Sequence, residues 1–165
     1  MQKIKVVDNF LPDTEFYNIK RQMEAIDFPW YWNPRTTSYD NTPQMIHNFT
    51  LYDKKNSTYL DIIEDSKLFE KLGASYVAKC KANLNYKTTE NNVGSFHTDF
   101  SGDSMKGITT SILYINTNNG GTQFSDGTRV KSVANRLVKF DCSQEHASVS
   151  CTDEDRRVLI NINYF

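Results

Sequence analysis

The second half of the chain alternates between apolar and polar positions, a pattern that is typical of β-strands. The clearest run covers residues 75–86, where a largely apolar set interleaves with a largely polar one. The first set is Tyr76, Ala78, Cys80, Ala82, Leu84 and Tyr86, and the second is Ser75, Val77, Lys79, Lys81, Asn83 and Asn85. Because successive side chains of a strand point to opposite faces, this run predicts a half-buried strand.

Further short strands are predicted downstream, separated by residues that favour turns. The strand-like runs are Phe96–Phe100, Ile108–Ile115, Thr122–Ser125, Thr128–Val133, Leu137–Phe140, His146–Val149 and Val158–Phe165. The turns between them include Ser101-Gly102-Asp103, Asn118-Asn119-Gly120-Gly121, Asp126-Gly127 and Thr152–Asp155. Many short strands with regular turns predict antiparallel sheets arranged as a sandwich or barrel.

The first half of the chain adds helices to this picture. After Pro12, the residues Phe16, Ile19, Met23 and Ile26 recur on one face of a helix. Residues 57–72 predict one or two further helices, closed by a glycine at position 73, and short strands are expected near residues 4–7 and 45–52. The sequence therefore predicts an α+β, mostly β fold, a double-stranded β-helix (jelly roll) with N-terminal helices packed on one sheet.

Composition narrows the class of protein. The 165 residues fit a single domain spanning 1–165, and the formal net charge of −1 disfavours nucleic acid as a partner. The apolar runs are too short to span a bilayer, so we expect no membrane partner, and no signal peptide is recognisable. Cys80, Cys142 and Cys151 lack CxxC spacing, which predicts reduced thiols in the cytoplasm.

His97-Thr98-Asp99 and His146 are the residues most suited to metal chemistry. On a strand, His97 and Asp99 share a face, and a histidine from another strand would complete two imidazoles and one carboxylate on one side of a metal. That set suits non-haem Fe(II) because it leaves positions open for other ligands. A single HxD motif is weak, however. The alternative is a strand histidine, a turn carboxylate and a surface imidazole without a metal.

The last predicted strand carries an arginine on its polar side. One face would present Arg157, Leu159, Asn161, Asn163 and Phe165, and the other Val158, Ile160, Ile162 and Tyr164. An arginine in a barrel mouth can bind both oxygens of a carboxylate. The alternative for Arg157 is an ion pair with Glu154 or Asp155 at the surface. Arg156 would lie on the opposite face of the strand and competes with Arg157 for the role of binding a carboxylate.

Taken together, these motifs resemble a known family. They stand in the order Phe96-His97-Thr98-Asp99, Thr110 through Asn116, Gly120-Gly121-Thr122-Gln123-Phe124, His146, and Arg157 through Phe165. In this order they resemble the 2-oxoglutarate- and Fe(II)-dependent dioxygenases, specifically the prolyl-4-hydroxylase-like branch with its small stand-alone bacterial and phage members. The resemblance covers about half of the chain, from Ala82 to Phe165.

The resemblance implies roles for individual residues. His97, Asp99 and His146 would hold Fe(II), and Arg157 would bind the C5 carboxylate of 2-oxoglutarate. The other residues that would contact or surround the cosubstrate are Tyr114, Tyr86, Ser148, Asn161 and, facing the same cavity, Asn163.

The implied reaction uses O₂ and 2-oxoglutarate to hydroxylate a C–H bond of a peptidyl (prolyl-type) or amino-acid-like substrate, with release of succinate and CO₂. We would then expect the cytoplasm of a bacterial or phage-infected cell. The RxNxTxR pattern of the nucleic-acid demethylating branch is missing from Arg156–Phe165, which again disfavours nucleic acid.

Two other classes stay open from the sequence. One is a non-catalytic jelly-roll module that binds a metal or ligand, and the other is a structural protein with zinc or no metal. The sequence also leaves substrate and oligomeric state open. We expect Trp30 and Trp32 to pack in the core rather than form a stacking platform, and Arg35 and Arg129 to be solvated loop residues.

Overall fold

Two antiparallel β-sheets face each other, and helices cover the outer side of the larger sheet. This architecture comes from a computed structural model that describes residues 3–37, 42–100 and 106–165. The helices are α1 (Asp13–Met23), α2 (Leu60–Asp65) and α3 (Leu68–Leu72). The strands are β1 (Lys5–Val7), β2 (Tyr31–Asn33), β3 (Gln44–Leu51), β4 (Lys54–Lys55), β5 (Val77–Tyr86), β6 (Thr109–Tyr114), β7 (Gly121–Phe124), β8 (Arg129–Lys131), β9 (Leu137–Asp141), β10 (His146–Val149) and β11 (Arg156–Tyr164).

The larger sheet has the order β1-β9-β6-β11-β5-β3-β2, with β4 paired to β3, and the smaller sheet has the order β10-β7-β8. Neighbouring strands run antiparallel throughout the described residues. The predicted mostly-β fold is confirmed, and β5 and β11 lie together at the centre of the larger sheet.

The outer face of the larger sheet forms the main hydrophobic core with the helices. From β5 and β11, the core takes one apolar row each: Cys80, Ala82 and Leu84, and Val158, Ile160 and Ile162. From the helices it takes Phe16, Ile19, Met23, Ile63, Leu68 and Leu72. Because alternate residues of a strand share a face, the polar residues of β5 and β11 face the smaller sheet instead.

Helix α1 is shorter than its hydrophobic pattern predicts. Asp13 and Glu15 lie in the first turn, where acidic side chains interact favourably with the helix dipole. Phe16, Ile19 and Met23 are buried as expected, but Ile26 is fully exposed and its predicted place on the buried face is wrong. The helix ends at Met23, and the chain then turns, with the amide of Phe28 donating to the carbonyl of Ala25.

Residues 57–72 form two short helices, one of the two predicted arrangements. Lys67 separates α2 from α3 with a left-handed backbone, at φ 57°. Gly73 ends α3 in the same left-handed region at φ 73°, the conformation that glycine adopts without a steric penalty. Among the described residues, no helix has the length and apolar character needed to cross a membrane.

The predicted strand at Phe96–Phe100 is not formed. His97 makes only an isolated bridge to His146, in which each backbone amide donates to the other residue's carbonyl at 3.0 Å. The chain then turns, because the Thr98 hydroxyl donates to the carbonyl of Phe100 at 2.7 Å. The turn predicted at Ser101-Gly102-Asp103 lies outside the described residues.

The two tryptophans differ in their environment. Trp30 packs against the main core, with its ring centroid 4.9 Å from that of Phe28. Trp32 lies on the edge strand β2 and is 62% exposed, so the expectation that it packs in the core is wrong.

The contrast between Ile19 and Ile26 gives a test of this packing. Ile19→Ala should lower the free energy of unfolding by about 2–5 kcal/mol, because it leaves a cavity beneath α1. The control Ile26→Ala removes the same atoms from an exposed side chain and should change it by no more than about 0.5 kcal/mol. Urea denaturation measures both values. Equal losses in the two variants would contradict the position of α1.

Candidate functional site

A cavity of about 550 Å³ lies between the two sheets, within the range of about 300–1,000 Å³ that is typical of small-molecule sites. Its floor is the inner face of β5 and β11, and β10 and β7 contribute the opposite wall. The sequence gives it a largely polar lining because most odd-numbered positions of both central strands carry polar side chains, with Leu159 as the apolar exception that lines the cavity.

The pairing register orders these side chains into rows across β5 and β11. Asn85 lies opposite Arg157, Asn83 opposite Leu159, Lys81 opposite Asn161 and Lys79 opposite Asn163. On the facing wall, His146 and Ser148 are alternate residues of β10 and therefore point to the same side. The cavity thus has one end at Arg157 and another at Asn161, while Asn163, expected to face the cavity, is fully buried behind that end and does not line it.

At the second end, three possible metal ligands converge. One ligand atom from each of His97, Asp99 and His146 can be chosen so that all lie within 4.8 Å of one another. The backbone bridge between the two histidines places their ring centroids 4.7 Å apart. Each Nδ1 lies 3.1 Å from a backbone carbonyl, that of Ser95 or Gln144, to which an Nδ1–H can donate. This tautomer leaves each Nε2 free as a metal ligand.

Asp99 is held as a carboxylate. Burial alone would raise its pKa, but the charge of Lys79 and the amides of Asn163 and Asn161 hold that pKa well below its usual range. The two amides donate to Oδ2 at 2.8 and 3.1 Å, and Lys79 Nζ lies 3.7 Å from Oδ1. Asp99 is thus ionised and oriented before any metal binds.

His146 is held neutral. Burial lowers its pKa, and the neighbouring His97 lowers it further, against the opposing effect of Asp99. The sequence alternative of a surface imidazole is wrong, because His146 is only 4% exposed. Two imidazoles and one carboxylate on one side of an open cavity fit a divalent metal such as Fe(II).

Arg157 occupies the other end of the cavity and is only 1% exposed. Nη1 donates to Ser148 Oγ at 3.0 Å and to Asn85 Oδ1 at 3.3 Å, and Nη2 approaches Thr122 Oγ1 at 3.5 Å. Its Nε has no partner, and no carboxylate of the described residues pairs with it. A buried guanidinium held by neutral groups alone is costly, so it favours an anionic ligand.

Tyr114 lies against this arginine. The guanidinium carbon of Arg157 is 5.6 Å from the centroid of the Tyr114 ring, and the hydroxyl donates to Thr122 Oγ1 at 2.7 Å. Burial raises the pKa of Tyr114, so the phenol stays protonated and acts as a donor. Tyr114 therefore fixes Thr122, which contacts Arg157 in turn.

The other residues predicted to surround the cosubstrate lie in different parts of the site. Ser148 contacts Arg157, whereas Asn161 and Asn163 contact Asp99 at the metal end. Tyr86 does not line the cavity. It is 50% exposed and lies opposite Arg156, which is also exposed, because even-numbered positions at this end of β5 point away from the smaller sheet.

Several cavity residues were missed by the sequence reasoning. They are Gln44, Lys79, Lys81, Asn85 and Thr122. The parity of β5 contained the signal for Lys79, Lys81 and Asn85, since all three share a face. Gln44 had no such signal, because its position depends on the pairing of β3 with β5, which are distant in sequence.

Arg35 and Arg129 are both exposed. Arg35 is a solvated loop residue, as expected. Arg129 lies on β8 rather than in a loop, and its Nη2 donates to the carbonyl of Asn119 at 3.3 Å. Neither residue lines the cavity.

Comparison with known proteins places this cavity in a familiar fold. No family model and no curated protein matches the chain. Among solved structures, it is similar to a 2OG-Fe(II) oxygenase family oxidoreductase from Burkholderia pseudomallei, at TM-score 0.73 and 10% identity over 98% of this chain and 84% of that chain. It is also similar to a prolyl-4-hydroxylase from Pseudomonas putida, at TM-score 0.65 and 18% identity over 98% and 91% of the two chains.

A third similar structure is a prolyl hydroxylase from Trichoplax adhaerens, in complex with a peptide fragment of the hypoxia inducible factor oxygen degradation domain. Its TM-score is 0.70, with 11% identity over 98% of this chain and 83% of that chain. At these identities the likeness shows the fold. The jelly-roll fold that the motif resemblance implied is confirmed.

The buried histidines predict a pH dependence of stability. Burial lowers the pKa values of His146 and His47, so below about pH 6.5 the unfolded chain binds protons that the folded chain does not. The free energy of unfolding of the metal-free protein should therefore decrease as the pH falls from about 7 to about 5. Urea denaturation at each pH measures it. His146→Gln should show a shallower decrease, and an unchanged slope would contradict a buried neutral His146.

Proposed function

We propose that the protein is a non-haem Fe(II)- and 2-oxoglutarate-dependent dioxygenase that hydroxylates a C–H bond of a peptidyl (prolyl-type) or amino-acid-like substrate. One observation carries the proposal. A single cavity of about 550 Å³ has three metal-ligand atoms within 4.8 Å of one another at one end and the buried, unpaired Arg157 at the other. Such a lining suits a metal at one end and a dianion that reaches the other.

His97, Asp99 and His146 would hold the metal. The neutral imidazole of His146 and the preformed carboxylate of Asp99 need no proton transfer at neutral pH before they bind it. When bound, Fe(II) supplies the redox chemistry through which O₂ oxidises both organic substrates. Asn161 and Asn163 keep Asp99 in position, which is the role that hydrogen-bonded neighbours of metal ligands usually have.

Arg157 would bind the C5 carboxylate of 2-oxoglutarate. Its guanidinium is already oriented by Ser148, Asn85 and Thr122, so little conformational entropy is lost on binding. The carboxylate neutralises a cation that the protein itself leaves unpaired, which favours 2-oxoglutarate over keto acids with a single carboxylate.

The net reaction balances without another reductant. 2-Oxoglutarate loses its C1 carboxylate as CO₂ and becomes succinate, which takes one oxygen atom of O₂. The second oxygen atom enters the C–H bond of the substrate as a hydroxyl group. The apolar Ile112 and Leu159, together with Phe96 and Phe100, line parts of the cavity and limit the access of water to the reacting groups.

The peptidyl or amino-acid-like substrate is supported by the similar solved structures. Two of them are prolyl hydroxylases, and one of these is in complex with a peptide fragment. In this chain, Phe96 lines the cavity and is 43% exposed, so it offers an apolar contact at the rim.

Removal of the carboxylate ligand tests the metal site. Anaerobic addition of Fe(II) and 2-oxoglutarate should give a weak visible charge-transfer band in the wild type. In Asp99→Ala, both this band and aerobic succinate formation should be lost. Asp27→Ala, which changes an exposed aspartate, is the control. A normal band in Asp99→Ala would contradict Asp99 as a ligand, and no band in the folded wild type would favour a non-catalytic module.

Two adjacent arginines test the cosubstrate site. Arg157→Met should raise the 2-oxoglutarate concentration needed for half-maximal succinate formation by about 100-fold, the effect of about 3 kcal/mol from a buried charge pair. Arg156→Met removes the neighbouring exposed cation and should change that concentration by less than about threefold. Thermal unfolding of both variants checks that they fold. The reverse order of effects would contradict the role of Arg157.

A further inference from the structure

Two lysines lie on the floor of the cavity, where the proposed reaction assigns them no role. Lys79 and Lys81 are alternate residues of β5 and both line the cavity. Lys79 is engaged, since its Nζ lies 3.7 Å from Asp99 Oδ1 and 5.3 Å from the centroid of the Phe100 ring. Lys81 forms no ion pair with any residue in the described part of the chain.

The environment of Lys81 is unfavourable for its charge. Burial and, to a smaller extent, repulsion from Lys79 lower its pKa to about 8, against the opposing effect of Asp99. At neutral pH the ammonium group still predominates, so the cavity contains a half-buried cation that forms no ion pair with any described residue. Lysines are seldom buried in this state unless a partner group neutralises them.

Binding of the metal and cosubstrate would leave this cation unpaired. The two positive charges of Fe(II) and that of Arg157 are balanced by Asp99 and by the two carboxylates of 2-oxoglutarate. The remaining described charged groups around the cavity are Lys79, Lys81 and Glu145. Glu145 is exposed at the rim, where water screens its charge. An excess of positive charge therefore remains where the substrate must enter.

Unpartnered amides accompany the lysines. Asn83 follows Lys81 on the same face of β5, and its buried Oδ1 has no hydrogen-bond partner in the described part of the chain. Gln44 is 1% exposed, lines the same cavity, and both of its amide atoms lack partners among the described residues. Buried polar atoms are rarely left without a hydrogen-bond partner. The acceptor Asn83 Oδ1 next to the Lys81 cation therefore suits a ligand in which a hydrogen-bond donor lies next to an anionic group.

We propose that Lys81 binds a carboxylate of the substrate, and that Asn83 accepts a hydrogen bond from an adjacent ammonium or N–H group. The substrate is then amino-acid-like with a free carboxylate, rather than an internal peptide residue. A single ammonium suits a carboxylate better than a phosphate dianion, for which proteins use arginines or several backbone amides. This inference rests on the proposed function, because the residues that would hold the metal line the same cavity as Lys81.

An equilibrium measurement tests the anion site without turnover. The probes are acetate, neutral acetamide of similar shape, and inorganic phosphate, each added to the protein with Zn(II) and 2-oxoglutarate. The ¹³Cε signal of Lys81, identified by its loss in Lys81→Met, should shift with acetate and not with acetamide. No shift with acetate, or an equal shift with acetamide, would overturn the proposal. A larger response to phosphate would replace the carboxylate with a phosphoryl group and overturn it as stated.

Turnover gives the second test. A pool of free amino acids should increase succinate formation by the wild type more than the matching pool of amino-acid amides. In Lys81→Met, the increase in succinate formation caused by free amino acids should be at least about tenfold smaller than in the wild type. Lys131→Met, which changes an exposed lysine on β8, should show the same increase as the wild type. Thermal unfolding confirms that both variants fold.

The outcomes separate the two proposals. Absence of the Fe(II) and 2-oxoglutarate band in the wild type would contradict the dioxygenase itself. If the band and succinate formation are present, but neutral amides stimulate equally well or Lys81→Met responds like the wild type, the dioxygenase stands and the role of Lys81 is refuted.

Discussion

The period-two alternation of β5 and β11 is the constraint on which the rest of the molecule depends. These adjacent strands place Cys80, Ala82 and Leu84 with Val158, Ile160 and Ile162 against the helices, and leave their polar residues to face the smaller sheet. Burial of the apolar rows fixes the register, because a slip by one residue would turn every side chain to the other face. The energy of the core therefore also holds Arg157 inside the cavity, where its charge is unfavourable until a ligand binds.

Much of the fold could be predicted because it is encoded locally. Alternation and turn residues predicted the strands, and the helical spacing of Phe16, Ile19 and Met23 predicted α1. The errors lie where the tertiary structure decides. Ile26 continues the helical pattern in sequence but follows the end of α1. Phe96–Phe100 has the composition of a strand, yet it finds only one bridging partner before the chain turns.

The candidate site was predictable to a similar extent. The spacing of His97 and Asp99, the family resemblance, and the parity of Arg157 directed attention to residues that the structure brings into one cavity. Tyr86 is the residue for which the family resemblance and the strand alternation disagree. Its even-numbered position on β5 lies on the same face as the apolar row, whereas Asn85 lies opposite Arg157. The place of Gln44 in the cavity lining could not be predicted, because no local sequence pattern indicates which distant strand pairs with β3.

The bridge between His97 and His146 joins two of the three converging side chains through their own backbones. The separation of these imidazoles is set by the bridge and by the backbone carbonyls of Ser95 and Gln144 that orient the rings, with Phe140 packed against His146. Residues elsewhere in the lining can therefore be exchanged without altering that separation. A scaffold of this kind can diversify what it accepts during evolution while its two nitrogen donors keep a constant spacing.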